Sequence, residues 1–179
     1  FPVALKLINK TIIHKTEYGA IKTDIKSKDQ LVKEIRFMHD HLKKTLKSDF
    51  DDKFLIEEMQ PTPIVEMIIG IEPNPQFGYS LLIGTGGIQA EIMNDTISLL
   101  IPTNRDEIIK SIKNLKLYKL MDNFRSNKRV DLHKLASDII KIASMIQTSN
   151  KSYSSIEINP LFVYATATCA VDAVIGSVA

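Results

Sequence analysis

Apolar residues in this chain recur with a period of two in some stretches and of three to four in others, and the switches between the two predict its elements. Phe1 to Ile8 is a short apolar run that predicts a strand with one charged side chain, Lys6, among apolar neighbours. A lysine in that setting either snorkels to water or points at an anion. Ile12 to Ile21 contains a polar loop ending in Gly19 between two strand-like runs, and it reads as a phosphate cradle or as an ordinary hairpin. Ser27-Lys28-Asp29-Gln30 has the spacing of a capping box, with Leu31, Ile35, Met38, Leu42 and Leu46 at helical intervals after it. His39 and His41 lie on that helix among Asp40, Lys43 and Lys44 and read as solvated surface. Phe54 to Met59 is a further strand, ended by Pro61 and Pro63. These prolines mark a hinge between a small β-α-β lobe, residues 1–60, and a larger lobe, residues 61–179.

In the larger lobe, Val65 to Ile71 predicts a strand carrying one acid, Glu66, and Tyr79 to Ile83 its return after the turn Pro73 to Gly78. The return strand ends in Gly84-Thr85-Gly86-Gly87, where exposed backbone N–H groups can meet an anion or merely make a tight turn. Thr103-Asn104-Arg105-Asp106 caps one helix and Asp131 another, both with an apolar stripe for the sheet. His133 in the second helix reads as surface, and Arg125 lies in a charged loop whose default is solvation.

Ser155 to Leu161 alternates polar and apolar residues, so in a strand Glu157 and Asn159 share one face. A turn in Ala165 to Thr168 lets Cys169 to Val174 return antiparallel and bring Asp172 beside them. Two carboxylates and an amide oxygen suit a hard cation such as magnesium, whereas zinc prefers His or Cys. A half-buried hairpin with exposed acids fits the same pattern.

Composition changes this picture little. The chain has 179 residues, is 44% hydrophobic and carries a formal charge of +2 with both signs interspersed, so neither a nucleic-acid nor a membrane-surface partner is expected. No apolar run reaches the roughly 18 residues of a membrane span, and the single cysteine, Cys169, excludes an internal disulfide; the expected location is cytoplasmic. Phe1 to Ile8 reads as a mid-fold strand, which suggests a fragment.

Taken in order, these stretches resemble a known family. Phe1-Pro2-Val3-Ala4-Leu5-Lys6 resembles the aromatic-Pro-Val-apolar-apolar-Lys strand of ATP-grasp enzymes, and Glu157-Ile158-Asn159-Pro160 their magnesium-binding strand. Ile13 to Lys22, Glu66 to Gly70 with Pro75-Gln76-Phe77-Gly78, Gly84 to Gly87, and Asp172 after Leu161 resemble the ATP-grasp domain of NDP-forming acyl-CoA synthetases. That group includes ADP-forming acetate–CoA ligases and relatives of the succinyl-CoA synthetase β subunit. The resemblance covers essentially the whole chain and implies an α+β (α/β) ATP-grasp fold, a small lobe plus a larger mixed-sheet lobe with packed helices.

The resemblance also implies roles. Lys6 and Lys15, with Gly19, would meet nucleotide phosphates. The backbone of Glu57, Glu58 and Met59 would hold adenine, and Glu66 would contact the ribose or another part of the nucleotide. Gly84, Gly86 and Gly87 would receive a phosphorylated segment of a partner domain, and His14 would relay the phosphoryl group. Glu157, Asn159 and Asp172 would hold Mg2+ with ATP or ADP. Coenzyme A would be bound by other domains or a partner subunit, in an oligomer of the full-length protein. Two departures from the family pattern are visible: Gly19-Ala20 replaces two adjacent glycines, and Phe124-Arg125-Ser126 replaces Tyr-Arg-Gly. A Cβ at Ala20 is expected to crowd a phosphate. The rival reading is therefore a non-catalytic nucleotide-binding module regulating a protein acetyltransferase.

Overall fold

The structure is a computed structural model and describes residues 1–9, 15–46, 53–122, 129–148 and 153–177. It divides into two compact units, Phe1–Thr62 and Pro63–Ala179. The first contains β1 (Val3–Leu7), β2 (Ile21–Ile25), α1 (Lys28–Leu46) and β3 (Phe54–Glu58). Its sheet has the order β2-β1-β3 with both pairings antiparallel. Alternation along β1 puts Leu5 and Leu7 on the face packed with Ile25, Met38 and Leu42, and Ala4 and Lys6 on the other. Ser27 starts α1 as its spacing predicts: its hydroxyl accepts from the Gln30 N–H at 3.2 Å, while Gln30 reaches back to the Lys26 N–H at 2.8 Å.

The second unit contains β4 (Val65–Asn74), β5 (Gly78–Thr85), α2 (Ala90–Met93), β6 (Thr96–Ile101), α3 (Arg105–Asn114), α4 (Tyr118–Met121) and α5 (Leu132–Thr148), then β7 (Tyr153–Val163), β8 (Thr168–Ala170) and β9 (Ala173–Ser177). The sheet order is β6-β5-β4-β7-β8, with β9 also on β7. Every pairing in it is antiparallel, so neighbouring strands run in opposite directions. Asn104 caps α3 by accepting from the Glu107 N–H at 3.0 Å, and Asp131 caps α5 through the Lys134 N–H at 3.0 Å. Ile108 and Ile112 of α3 and Leu135 and Ile139 of α5 pack on Val65, Met67, Ile69, Ile83 and Ile158. Each such side chain contributes about 1.5–3 kcal/mol through burial. The core thus lies on one face of the sheet, and even-numbered β4 residues such as Glu66 and Gly70 point to the other.

Strand β7 departs from its predicted alternation at one place. Ile156 and Ile158 are buried, then Leu161 and Val163, so two residues, Asn159 and Pro160, intervene where one is usual. The β4–β7 register records the same event, stepping from Ile69↔Ile158 to Met67↔Leu161. A proline cannot donate to a ladder, and a bulge is where a sheet tolerates it. On the opposite edge of β7 the predicted return strand breaks at Val171-Asp172 into β8 and β9, facing the bulge.

Candidate functional site in a nucleotide-binding domain

In the first unit, Lys6 is 7% exposed and its Nζ lies 2.5 Å from Glu57 Oε2. The register explains the meeting: Glu57 pairs with Ala4, which makes it a diagonal neighbour of Lys6 on the same face. The ammonium is therefore held in place rather than snorkelling. Strand β3 pairs only with β1 among the described residues, so the backbone of Glu58 faces the open edge while that of Glu57 is turned to Ala4 of β1. Met59, next along the chain, is also turned to β1 and donates its N–H to Pro2 O at 3.2 Å.

Lys15 to Gly19 forms a turn closed by Gly19 N–H to Thr16 O at 3.1 Å and Ala20 N–H to Lys15 O at 2.7 Å. Gly19 has φ +65°, the left-handed region that glycine takes without a Cβ penalty. The expected crowding by Ala20 is corrected: Ala20 is fully buried with Leu5, Leu7 and Met38, so its methyl points into the core and not over the turn. His14 and Arg125 lie outside the described residues.

In the second unit the ladder break gathers the predicted donors. Asn159 donates its N–H to Asp172 O at 3.1 Å and Val171 N–H reaches Pro160 O at 3.3 Å, which fixes Asp172 beside the bulge. Glu157 sits opposite Gly70 on the face away from the helices. Asn159 Oδ1 accepts from the Gly87 N–H at 2.9 Å, linking this set to the glycine turn. All three side chains are half-buried. Among the described residues no three His, Cys, Asp or Glu side chains gather to hold a metal, so any cation here relies on two acids and an amide. That donor set fits magnesium: every ligand is oxygen, and Asn159 Oδ1 retains a second lone pair.

The glycines are explained differently from the expectation of free amides. Thr85 N–H donates to Asp95 O at 3.0 Å, Gly86 N–H to Glu66 O at 2.9 Å and Gly87 N–H to Asn159, so these amides are spent inside the protein. Close packing is what requires glycine. At Gly84 a Cβ would meet Thr96 Cα at 3.0 Å, at Gly86 it would run into the Met67 carbonyl, and at Gly87 into the Glu66 carboxylate. Glu66 thus lies against the glycine turn.

Sequence reasoning missed the residue that anchors this turn. Asp95 is 6% exposed; its carboxylate accepts from Thr85 Oγ1 at 2.9 Å and from the N–H groups of Lys116 at 2.8 Å and Leu117 at 2.9 Å. Burial alone would push its carboxyl up, but these donors and the Lys116 charge outweigh burial and hold it below the usual carboxylate range. Asp138 of α5 is likewise held low despite burial, by Lys134, by Thr168 of β8 and by Lys141, and so ties α5 to the edge of the sheet. A groove of about 550 Å³ lies on this helix-covered face, lined by Ile142, Met145, Ile156 and Ile158, on the other side of the sheet from Glu157.

A clamped lysine beside an edge strand, a glycine turn, and oxygen-bearing side chains at a ladder break are the features expected of a nucleotide-binding domain of the ATP-grasp kind. Residues 1–176 match the ATP-grasp domain family, and the chain belongs to it. Among its relatives is the β subunit of ADP-forming acetate–CoA ligase I of Pyrococcus furiosus, 30% identical over 97% of this chain and 74% of that protein. Acetyl-coenzyme A synthetase 1 of Ca. Korarchaeum cryptofilum, solved with coenzyme A and Ca-AMPCP, superposes with a TM-score of 0.89 at 29% identity, covering 99% of this chain and 77% of that one. A second structure of the same enzyme, with coenzyme A and Mg-AMPPCP and its phosphohistidine segment pointing towards the nucleotide site, gives 0.79 at 28% identity over 99% and 77%.

Proposed function

We propose that this chain is the nucleotide-binding part of an ADP-forming acyl-CoA synthetase, an acid–thiol ligase that interconverts acid, CoA and ATP with acyl-CoA, ADP and phosphate. The observation that carries the reading is the coincident break in both edges of β7, which brings the backbone of Asp172 beside Asn159, two residues from Glu157, in a chain whose residues 1–176 match the family. Glu157, Asn159 and Asp172 would hold Mg2+, which supplies charge neutralisation to the phosphates as the phosphoryl group moves. Lys6 and Lys15 orient the phosphates, the β3 edge seats the base, and Glu66 approaches the sugar. Gly84, Gly86 and Gly87 form a packed platform that receives a phosphorylated segment by shape, since the amides of Gly86 and Gly87 are already engaged. Coenzyme A binds to domains or a subunit outside this chain, in an oligomeric enzyme of the cytoplasm. The regulatory-module reading loses the support it drew from Ala20, because that methyl is buried.

Titrating ATP calorimetrically, with and without magnesium, tests this. Wild type is expected to bind about tenfold more tightly with the metal, and Asp172→Ala to lose that difference. Lys6→Met should weaken binding about tenfold under both conditions, because it removes a charged phosphate contact. A wild type indifferent to magnesium would overturn the metal assignment, and one that binds no ATP the reading itself.

His14 is the proposed relay, taking the phosphoryl group on an imidazole nitrogen and passing it to ADP to give ATP. In the intact protein, His14→Ala should abolish acyl-CoA-dependent ATP formation and leave ATP affinity within about twofold. Near-normal turnover would reduce His14 to a structural residue.

A further inference from the structure

His41 is exposed on α1, as its charged neighbours predict, and its ring also lies beside the turn of the first unit: Cδ2 and Nε2 are each 3.8 Å from where a Gly19 Cβ would be. Phe37, one helical turn earlier, is 71% exposed and stacks on the imidazole, with ring centroids 6.3 Å apart and planes 4° from parallel. An exposed phenylalanine gains little from its own burial, but the stacking fixes the plane of the His41 ring. Among the described residues neither imidazole nitrogen has a hydrogen-bond partner, and the N–H groups of Thr16, Glu17 and Tyr18 donate to no other group. The turn therefore carries three successive amides without an acceptor among the described residues and has an oriented imidazole next to its Gly19, a pairing suited to an anion. The charged groups of the turn are Lys15 and Glu17, and those on α1 within four residues of His41 are Asp40, Lys43 and Lys44, with His39 as a further titratable group. Asp40 is engaged by His39 at 3.1 Å.

We propose that His41 is a phosphate-binding residue of this turn, contacting the terminal phosphate of the bound nucleotide as an imidazolium. The inference rests on the nucleotide reading above and adds a ligand group from α1. Its test compares ADP with adenosine on the intact protein, for wild type, His41→Ala and His41→Lys, at pH 6.5 and 8.5. His41→Ala should weaken ADP binding about tenfold at pH 6.5 and about twofold at pH 8.5, leave adenosine binding unchanged, and be largely rescued by His41→Lys. The His41 ring, followed by NMR, should titrate about one pH unit higher once ADP is bound. A wild type that binds ADP with its His41 titration unmoved and His41→Ala within twofold at both pH values overturns the proposal alone. A wild type that binds neither ligand overturns the nucleotide reading, and this proposal with it. An equal loss of ADP and adenosine makes His41 a support of the turn and also overturns it.

Discussion

Replacing Asp95 with alanine is expected to lower the thermal midpoint of the Pro63–Ala179 unit by about 10 °C or more. The carboxylate is buried and is the shared acceptor for Thr85 Oγ1 and the N–H groups of Lys116 and Leu117. Truncation leaves these donors buried without a partner, and each such loss costs about 1–3 kcal/mol, so a total of about 3–4 kcal/mol follows. Asp95→Asn should cost about 2 kcal/mol, because one amide oxygen remains while the NH2 group faces donors. Because its carboxyl sits low in the folded state, Asp95 stabilises the fold fully above the unfolded value of about 3.9, and that contribution drains away as pH falls through the folded value. Calorimetric melts from pH 7 down to pH 2.5 should therefore show the wild-type advantage over Asp95→Asn shrinking only below about pH 4. A gap that is constant with pH would mean the carboxylate is not the stabilising form.

What the chain announces locally, it announces well. Asn104, Asp131 and Ser27 cap the helices their spacing predicts, since a cap needs only its own first turn. The shared strand face of Glu157 and Asn159 was visible because strand alternation is local too, and the return of the chain past Asp172 followed from turn chemistry at Ala165 to Thr168. The bulge at Asn159-Pro160 was not foreseen, although a proline inside a strand pattern is the signal that points to one. Strand β6 escaped notice because Leu100, 48% exposed, sits on its outward side and blurs the alternation. Asp95 and His41 were illegible for a stronger reason. Their partners are the amides at Lys116 and Leu117 and the turn at Gly19, distant in sequence, and nothing in the residues on either side of them marks the meeting.

Gly86→Ala is expected to be the most damaging of the glycine substitutions, and the reason separates it from its neighbour. Gly86 has φ −105°, which any residue adopts, so strain in its own backbone is not the issue. Its Cβ would run into the carbonyl of Met67 and lie 2.7 Å from Ile68 N, which belong to the backbone of β4 between β5 and β7. A central strand has no cheap way to move, and the Gly86 N–H to Glu66 O bond would be lost with it, for about 3 kcal/mol together. At Gly87 the obstacle is the Glu66 carboxylate, the far end of a side chain that can rotate, and φ +64° adds about 1 kcal/mol of strain. Gly87→Ala should accordingly fold with a loss of about 1–2 kcal/mol but turn Glu66 away and disturb the Asn159 contact, weakening magnesium-dependent ATP binding about tenfold. Chemical denaturation measures the first difference and ATP titration the second. If Gly86→Ala proves as stable as wild type, the close approach of Gly86 to β4 is wrong; if Gly87→Ala binds ATP normally, the link from Gly87 through Asn159 to the metal ligands is wrong.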